Sequence, residues 1–235
     1  MKGKRKTLVL FDVGAVLVKL DYKSFFEKAA EIKGCTKEEF VQMYNASNIE
    51  VDAMLGKMSS EENLEKVARL VSPSCPMPNE QVKALLELNW PGEIREVVDL
   101  KERIFQAGYS IGLLSNMSPF ALETIGRKWP DIFKLYDNSM PAIYSFKVGS
   151  LKPQPKIYEQ IKGYDKVIFI DDKESYLRTG IEQFGWAGIL FTPYIDPSEA
   201  IRAQHNDSSR PAHNFYVAAS GKELEKRLQG CGINV

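Results

Sequence analysis

Cysteine is scarce in this chain. Cys35, Cys75 and Cys231 lie far apart and never take a C-x-x-C spacing, which argues against a disulfide framework or a structural zinc site. They read as reduced thiols and point to a cytoplasmic protein. An excess of charge is also missing. Thirty-one basic residues balance 31 acidic ones, so neither a nucleic acid nor a membrane surface is an expected partner. No segment is long and apolar enough to span a bilayer, and there are no internal repeats or low-complexity tracts. Lys2, Lys4, Arg5 and Lys6 precede an apolar run and so imitate a secretory leader. Asp12 and Lys19 interrupt that run, however, and no small-residue cleavage site follows, so a buried strand is the better reading.

What is present is an ordinary globular balance, 44% hydrophobic and 26% charged over 235 residues. That is enough for one medium domain, or for a core carrying an insertion. Apolar runs at 8–11, 109–114, 166–170 and 187–191 each end in polar residues, as central strands of a parallel sheet do. Helical periodicity at 93–106 and 175–184 stops at Gly108 and Gly185. The alternation predicts an α/β fold with a doubly wound parallel sheet. In such sheets function gathers at the carboxyl ends of the strands, where Asp12, Ser115 and Asp171-Asp172 all fall.

Residues 21–91 differ. They show helical periodicity without a convincing strand, with capping-box patterns at Thr36–Glu39 and Ser59–Glu62 and a proline-rich break at 71–78. The expectation is an inserted bundle of about four helices. The core would then comprise residues 1–20 and 92–235. A polar loop is expected at 205–211, an edge strand at 213–219 and a last helix at 222–228.

Taken singly, the polar residues at the strand ends have everyday structural uses. Asp12 or Asp171-Asp172 could cap a helix, Ser115-Asn116 could form a turn, and Lys152-Pro153 could be a solvated loop. Their order carries more information. Phe11-Asp12-Val13-Gly14-Ala15-Val16, Leu113-Leu114-Ser115-Asn116, Leu151-Lys152-Pro153 with Ile157-Tyr158, and Ile168-Phe169-Ile170-Asp171-Asp172 together resemble the motifs of the haloacid dehalogenase superfamily. The resemblance implies a Rossmann-like core, a helical cap inserted after the first motif, and Mg²⁺-dependent hydrolysis of a small phosphate ester. It makes Asp12 the nucleophile that forms an aspartyl-phosphate, and Lys152 the cation that neutralises it. Ser115 and Asn116 become phosphate-binding residues. Mg²⁺, a hard cation that takes oxygen ligands, would rest on Asp12, the Gly14 carbonyl and Asp172, with Asp171 as a ligand or a partner behind the ligands.

Three positions depart from that pattern. Most phosphatases of the superfamily place an acid/base aspartate where this chain has Gly14, which cannot transfer a proton, although bacterial sugar-phosphate phosphatases with an Asp-x-Gly first motif look similar. Ala15 and Tyr176 are also unusual at their positions. Two alternatives follow: a metal-independent haloacid dehalogenase-type hydrolase, in which Asp12 attacks carbon, or a catalytically weak or inactive fold that binds a ligand or a protein partner. Phe25, Phe26, Met43, Tyr44, Met54 and Met58 could line the mouth of the site, but at helical spacing such residues usually form bundle core.

Overall fold

The computed structural model describes residues 6–135, 138–193 and 214–235. Its strands are β1 (Thr7–Phe11), β2 (Ser110–Ser115), β3 (Ala142–Tyr144), β4 (Lys166–Asp171), β5 (Ala187–Phe191) and β6 (Phe215–Ala218). All pair in parallel, in the order β3-β2-β1-β4-β5-β6. The chain winds outward from β1 to β3, then crosses back to build the other half from β4. The reversal lies between β1 and β4, where an open α/β sheet leaves a crevice at its carboxyl edge.

Side-chain alternation explains why β1 is central. Val9 and Phe11 join one buried cluster with Ile111, Leu113, Ile168 and Ile170. Leu8 and Leu10 join a second with Leu114, Val167 and Phe169 on the opposite face. A strand covered on both faces needs apolar residues at every position, which is why its sequence reads as a continuous run.

After β1 the chain leaves the sheet for α1 (Tyr22–Lys33), α2 (Lys37–Ser47), α3 (Ile49–Met54), α4 (Ser60–Val71) and α5 (Asn79–Glu87). There are thus five helices rather than about four; α3, only six residues long, is too short to show periodicity. Both capping boxes form, at Thr36/Glu39 and Ser59/Glu62, and α1 ends at Gly34 in the left-handed conformation (φ 76°). The five helices surround their own cluster, in which Phe25, Phe26, Phe40 and Tyr44 pack with ring centroids 5.1 to 6.4 Å apart. Outgoing and returning linkers hydrogen-bond to each other, Lys19 N to Gly92 O (2.7 Å), Asp21 N to Asn89 O (2.9 Å) and Ile94 N to Leu17 O (2.8 Å).

The sheet is flanked by α6 (Arg95–Gln106), α7 (Pro119–Lys128), the short α8 (Ser145–Val148) and α9 (Pro155–Tyr158), α10 (Glu174–Phe184) and α11 (Gly221–Gly230). The expected helix ends at Gly108 and Gly185 hold, and both glycines have positive φ. The edge strand is shorter than expected, Phe215–Ala218, and lies parallel to β5. The loop expected at 205–211 lies outside the described residues.

One buried charge holds the periphery. Lys101 on α6 is 1% exposed, and its ammonium donates to the carbonyls of Asp131 (2.8 Å), Ile132 (2.6 Å) and Lys134 (3.3 Å). Three N–H groups thereby satisfy the end of the 3₁₀ turn Pro130–Ile132. Lys101→Met keeps the aliphatic stem but leaves those carbonyls without a donor. It should cost about 2 kcal/mol, read as a lower urea midpoint at unchanged slope. A loss below ~0.5 kcal/mol would mean that water replaces the ammonium.

Candidate active site

At the carboxyl edge the three central strands deliver one polar residue each. Asp12 follows β1, and its backbone N–H donates to Ile170 O (2.9 Å), which continues the pairing with β4. Its Oδ1 accepts from Val13 N (2.7 Å). The turn that follows closes by Ala15 N to Val18 O (2.8 Å), with Ala15 at φ 58°. A β-carbon in that region costs on the order of 1 kcal/mol, tolerable for alanine. Ser115 ends β2 and Asp171 ends β4, both buried.

Lys152 is not the solvated loop residue its sequence setting allowed. Its side chain is wholly buried, and Nζ meets Asp171 Oδ2 (2.6 Å), Asp12 Oδ2 (3.1 Å) and Leu114 O (3.0 Å). Three donors find three acceptors. The Phe169 and Tyr176 rings lie 5.2 and 5.0 Å from the ammonium, within cation–π range. Asn116 clamps the lysine backbone from both sides: Oδ1 accepts from Lys152 N (2.8 Å) and Nδ2 donates to Lys152 O (3.1 Å). Both ends of the amide are thus engaged in positioning Lys152, while Ser115 presents its side chain to the cavity wall. Tyr176, unusual in the sequence, has a use here. Its ring faces Lys152 and Lys173, and its hydroxyl accepts from Asn116 Nδ2 at 3.4 Å.

Oxygen atoms of Asp12, Asp171 and Asp172 lie within 4.8 Å of one another. Burial pushes the carboxyls of Asp171 and Asp172 up, and Asp12 beside them adds to the rise; Lys152 opposes it at Asp171, and Lys173 and then Lys152 oppose it at Asp172. Burial alone would push the Lys152 ammonium down, but Asp12 and Asp171 more than offset that, and its pKa is raised. Three carboxylates against the ammonium groups of Lys152 and Lys173 leave a surplus of negative charge that suits a divalent cation. The set fits Mg²⁺: every side-chain donor is a hard oxygen. Asp171 has Oδ2 on Lys152 and Oδ1 on Lys173 N (2.8 Å) and does not line the cavity, whereas Asp12, Asp172 and Gly14 do; the two carboxylates and the Gly14 carbonyl are the groups that would hold the ion.

These groups stand at one end of a cavity of about 540 Å³, a size usual for small-molecule sites. The sheet contributes Asp12, Gly14, Ser115, Lys152, Asp172 and Lys173; the helical insertion contributes Tyr22, Tyr44, Asn45, Glu50, Met54 and Asn63. Of the six apolar residues considered for the mouth, Phe26, Tyr44 and Met54 line the cavity. Phe25 is bundle core, Met43 packs against that core, and Met58 is buried. Sequence reasoning missed Lys173, although it directly follows Asp172. It also missed Tyr22 and Glu50, which no motif marks.

No family model matches the chain. Among curated proteins it is similar to a D-ribitol-5-phosphate phosphatase of Bacteroides thetaiotaomicron, 25% identical over 185 residues that cover 74% of this chain and 86% of that one. A solved HAD (haloacid dehalogenase) family enzyme from the same organism matches with a TM-score of 0.70 at 20% identity, over 85% of this chain and 100% of that one. The chain has the fold of the HAD family enzymes. The same Bacteroides enzyme in complex with magnesium and inorganic phosphate matches at TM-score 0.68 and 19% identity, over 82% and 98%. An L-2-haloacid dehalogenase from Xanthobacter autotrophicus, solved with chloropropionic acid covalently bound, matches at 0.60 and 12%, over 95% and 98%. At these identities the solved structures bear on the fold alone.

The charge surplus at this site gives a test independent of turnover. Mg²⁺ should raise the melting temperature of the wild type, by the equivalent of ~2.7 kcal/mol at a hundred times its Kd. Asp172→Asn removes one of the crowded carboxylates. Without Mg²⁺ it should therefore melt a few degrees (about 2–4 °C) above the wild type, and with Mg²⁺ it should gain little. A variant that still gains the full wild-type shift would remove Asp172 from the metal site.

Proposed function

We propose that this protein is a Mg²⁺-dependent phosphatase that acts on a small phosphorylated metabolite through an aspartyl-phosphate. The observation that carries the reading is Asp12 at the head of the cavity, paired with a buried Lys152 and crowded by Asp171 and Asp172. Such a carboxylate can attack phosphorus only if the repulsion between two anions is removed. Lys152 neutralises Asp12 and stands beside the position an equatorial phosphate oxygen would take, and Ser115 offers a hydroxyl to a second oxygen. Asn116 and Tyr176 keep Lys152 in place during the exchange. Bound between Asp12, Asp172 and the Gly14 carbonyl, Mg²⁺ would supply further neutralisation of the phosphate oxygens. The dehalogenase reading shares Asp12 and Ser115-Asn116, but it gives no use to three carboxylates around one site.

The insertion, read as a cap over the site, suggests the substrate class. Asn45, Asn63 and Asn89 line the cavity. Asn89 is buried, donates from Nδ2 to Leu86 O (3.0 Å), and leaves Oδ1 without a partner. Amide side chains on a cavity wall can exchange hydrogen bonds with the hydroxyl groups of a ligand. A hydroxyl-bearing substrate, a polyol or sugar phosphate, suits such a wall, in keeping with the D-ribitol-5-phosphate phosphatase to which the chain is similar. A phosphorylated metabolite of this kind supports a cytoplasmic enzyme.

A panel of D-ribitol 5-phosphate, glycerol 3-phosphate, hexose 6-phosphates and p-nitrophenyl phosphate, run with Mg²⁺ and with chelator, tests the class. Turnover should require Mg²⁺ and vanish in Asp12→Asn. Activity undiminished by chelator would favour carbon chemistry, and equal background in both proteins would leave only the ligand-binding fold.

A further inference from the structure

The position two residues beyond Asp12 is Gly14, which carries no carboxylate. A Cβ built there would stand 3.2 Å from Leu20 Cδ1, tighter than nine in ten real contacts, so a side chain would fit only if Leu20 gave way by a few tenths of an ångström. A proton for the leaving group therefore has to come from another wall of the cavity. Lys152 has its three donors committed, and Asp12 and Asp172 have the roles described above. Among the described lining residues, that leaves Glu50 as the one carboxyl group without an assignment.

Glu50 lies in the first turn of α3. This helix is fastened to the active-site edge by Ser145, whose Oγ donates to Met54 O (2.7 Å) and accepts from Met117 N (2.9 Å) in the loop after Asn116. Glu50 lines the same cavity as Asp12, together with Tyr22 on α1, Tyr44 on α2 and Lys173 from the loop after β4. Burial raises the pKa of Glu50, and nearby Lys173 and Tyr22 hold part of that rise back.

We propose that Glu50, oriented by Tyr22, is the general acid and base of this enzyme, in place of a residue at position 14. The inference rests on the phosphatase reading. In the first half-reaction a bond forms between an Asp12 oxygen and phosphorus while the ester P–O bond breaks, and the departing oxygen takes the Glu50 proton to leave as an alcohol. In the second, Glu50 carboxylate takes a proton from water as the water oxygen bonds to phosphorus. The Asp12–phosphorus bond breaks, inorganic phosphate departs, and both side chains return to their starting states. Glu50 is the catalytic residue of the pair, and Tyr22 is a positioning residue.

The test compares Glu50→Gln and Tyr22→Phe with the wild type, using the best alkyl phosphate of the panel and p-nitrophenyl phosphate, whose leaving group needs no proton. Matching melting temperatures check folding. Glu50→Gln should slow single-turnover phosphorylation by the alkyl ester by at least ~10²-fold. With the aryl ester it should still release a rapid burst of p-nitrophenolate equal to the enzyme present, then turn over slowly, because the second step has lost its base. Tyr22→Phe should lower kcat more than it changes KM, and it should move the pH profile upward, since the Tyr22 hydroxyl holds the Glu50 pKa down. A Glu50→Gln enzyme within threefold of wild type on the alkyl ester overturns the proposal and leaves the phosphatase reading standing. So does a burst slowed as much as the alkyl reaction, which would mean a structural role. A wild type inert toward both esters overturns the phosphatase reading, and this inference with it.

Discussion

The ammonium of Lys152 is the point around which the carboxyl edge of the sheet is assembled. It is fully buried, and its three acceptors come from the ends of three adjacent strands: Asp12 after β1, the Leu114 carbonyl on β2, and Asp171 on β4. Burial of such a charge is tolerable only when every donor is met, and loss of one partner from a buried ion pair typically costs 3–5 kcal/mol. The geometry of the edge is therefore mutually enforced. Lys152 keeps Asp12 and Asp171 together, although their charges repel. Asn116, gripping the Lys152 backbone by both ends of its amide, keeps the lysine from following solvent.

How much of this could be read from the sequence depended on the range of the interaction. β1, β2, β4 and β5 were legible because a strand covered on both faces writes its burial into consecutive residues, and the polar residues that end them marked the site. β3 was not, because Ala142–Tyr144 is three residues long and two of them are only half-buried, so there is no run to see. The capping boxes were legible because donor and acceptor sit three residues apart. The clamp of Asn116 on Lys152 spans 36 residues, and the tie from Ser145 to Met54 spans 91. Pairings of that range leave no local trace. The insertion showed the same limit: its helices were visible as a bundle, but which of its aromatic residues face the cavity was not. Phe25 and Phe26 are neighbours in sequence, yet only Phe26 lines it.

The helical insertion is more than a lid on a finished site. Its two linkers are stitched together by backbone hydrogen bonds, Ser145 fastens α3 to the loop after β2, and Glu87 on α5 pairs with Arg127 and Lys128 at the end of α7, each at 2.6 Å. The exposed Glu87 pairs are individually worth little, of order 0–1 kcal/mol. The Ser145 bridge is different: it is buried on the sheet side and joins the insertion to the residue next to Asn116, within the group that holds Lys152. A displacement of α3 is thus felt at the positive charge facing Asp12.

Leu20 makes the same connection from the other direction. It sits on the outgoing linker, lines the cavity, and fills the space beside Gly14. A Cβ at position 14 would press on a Leu20 methyl, which would have to give by a few tenths of an ångström. Leu20 lies between the linker hydrogen bonds of Lys19 with Gly92 and of Asp21 with Asn89, so the first turn and the seating of the insertion meet at this residue. Gly14 carries no proton donor of its own, and the cavity wall includes residues of the insertion, Glu50 among them. Acid–base chemistry supplied from that wall would depend on the same contacts that seat the insertion.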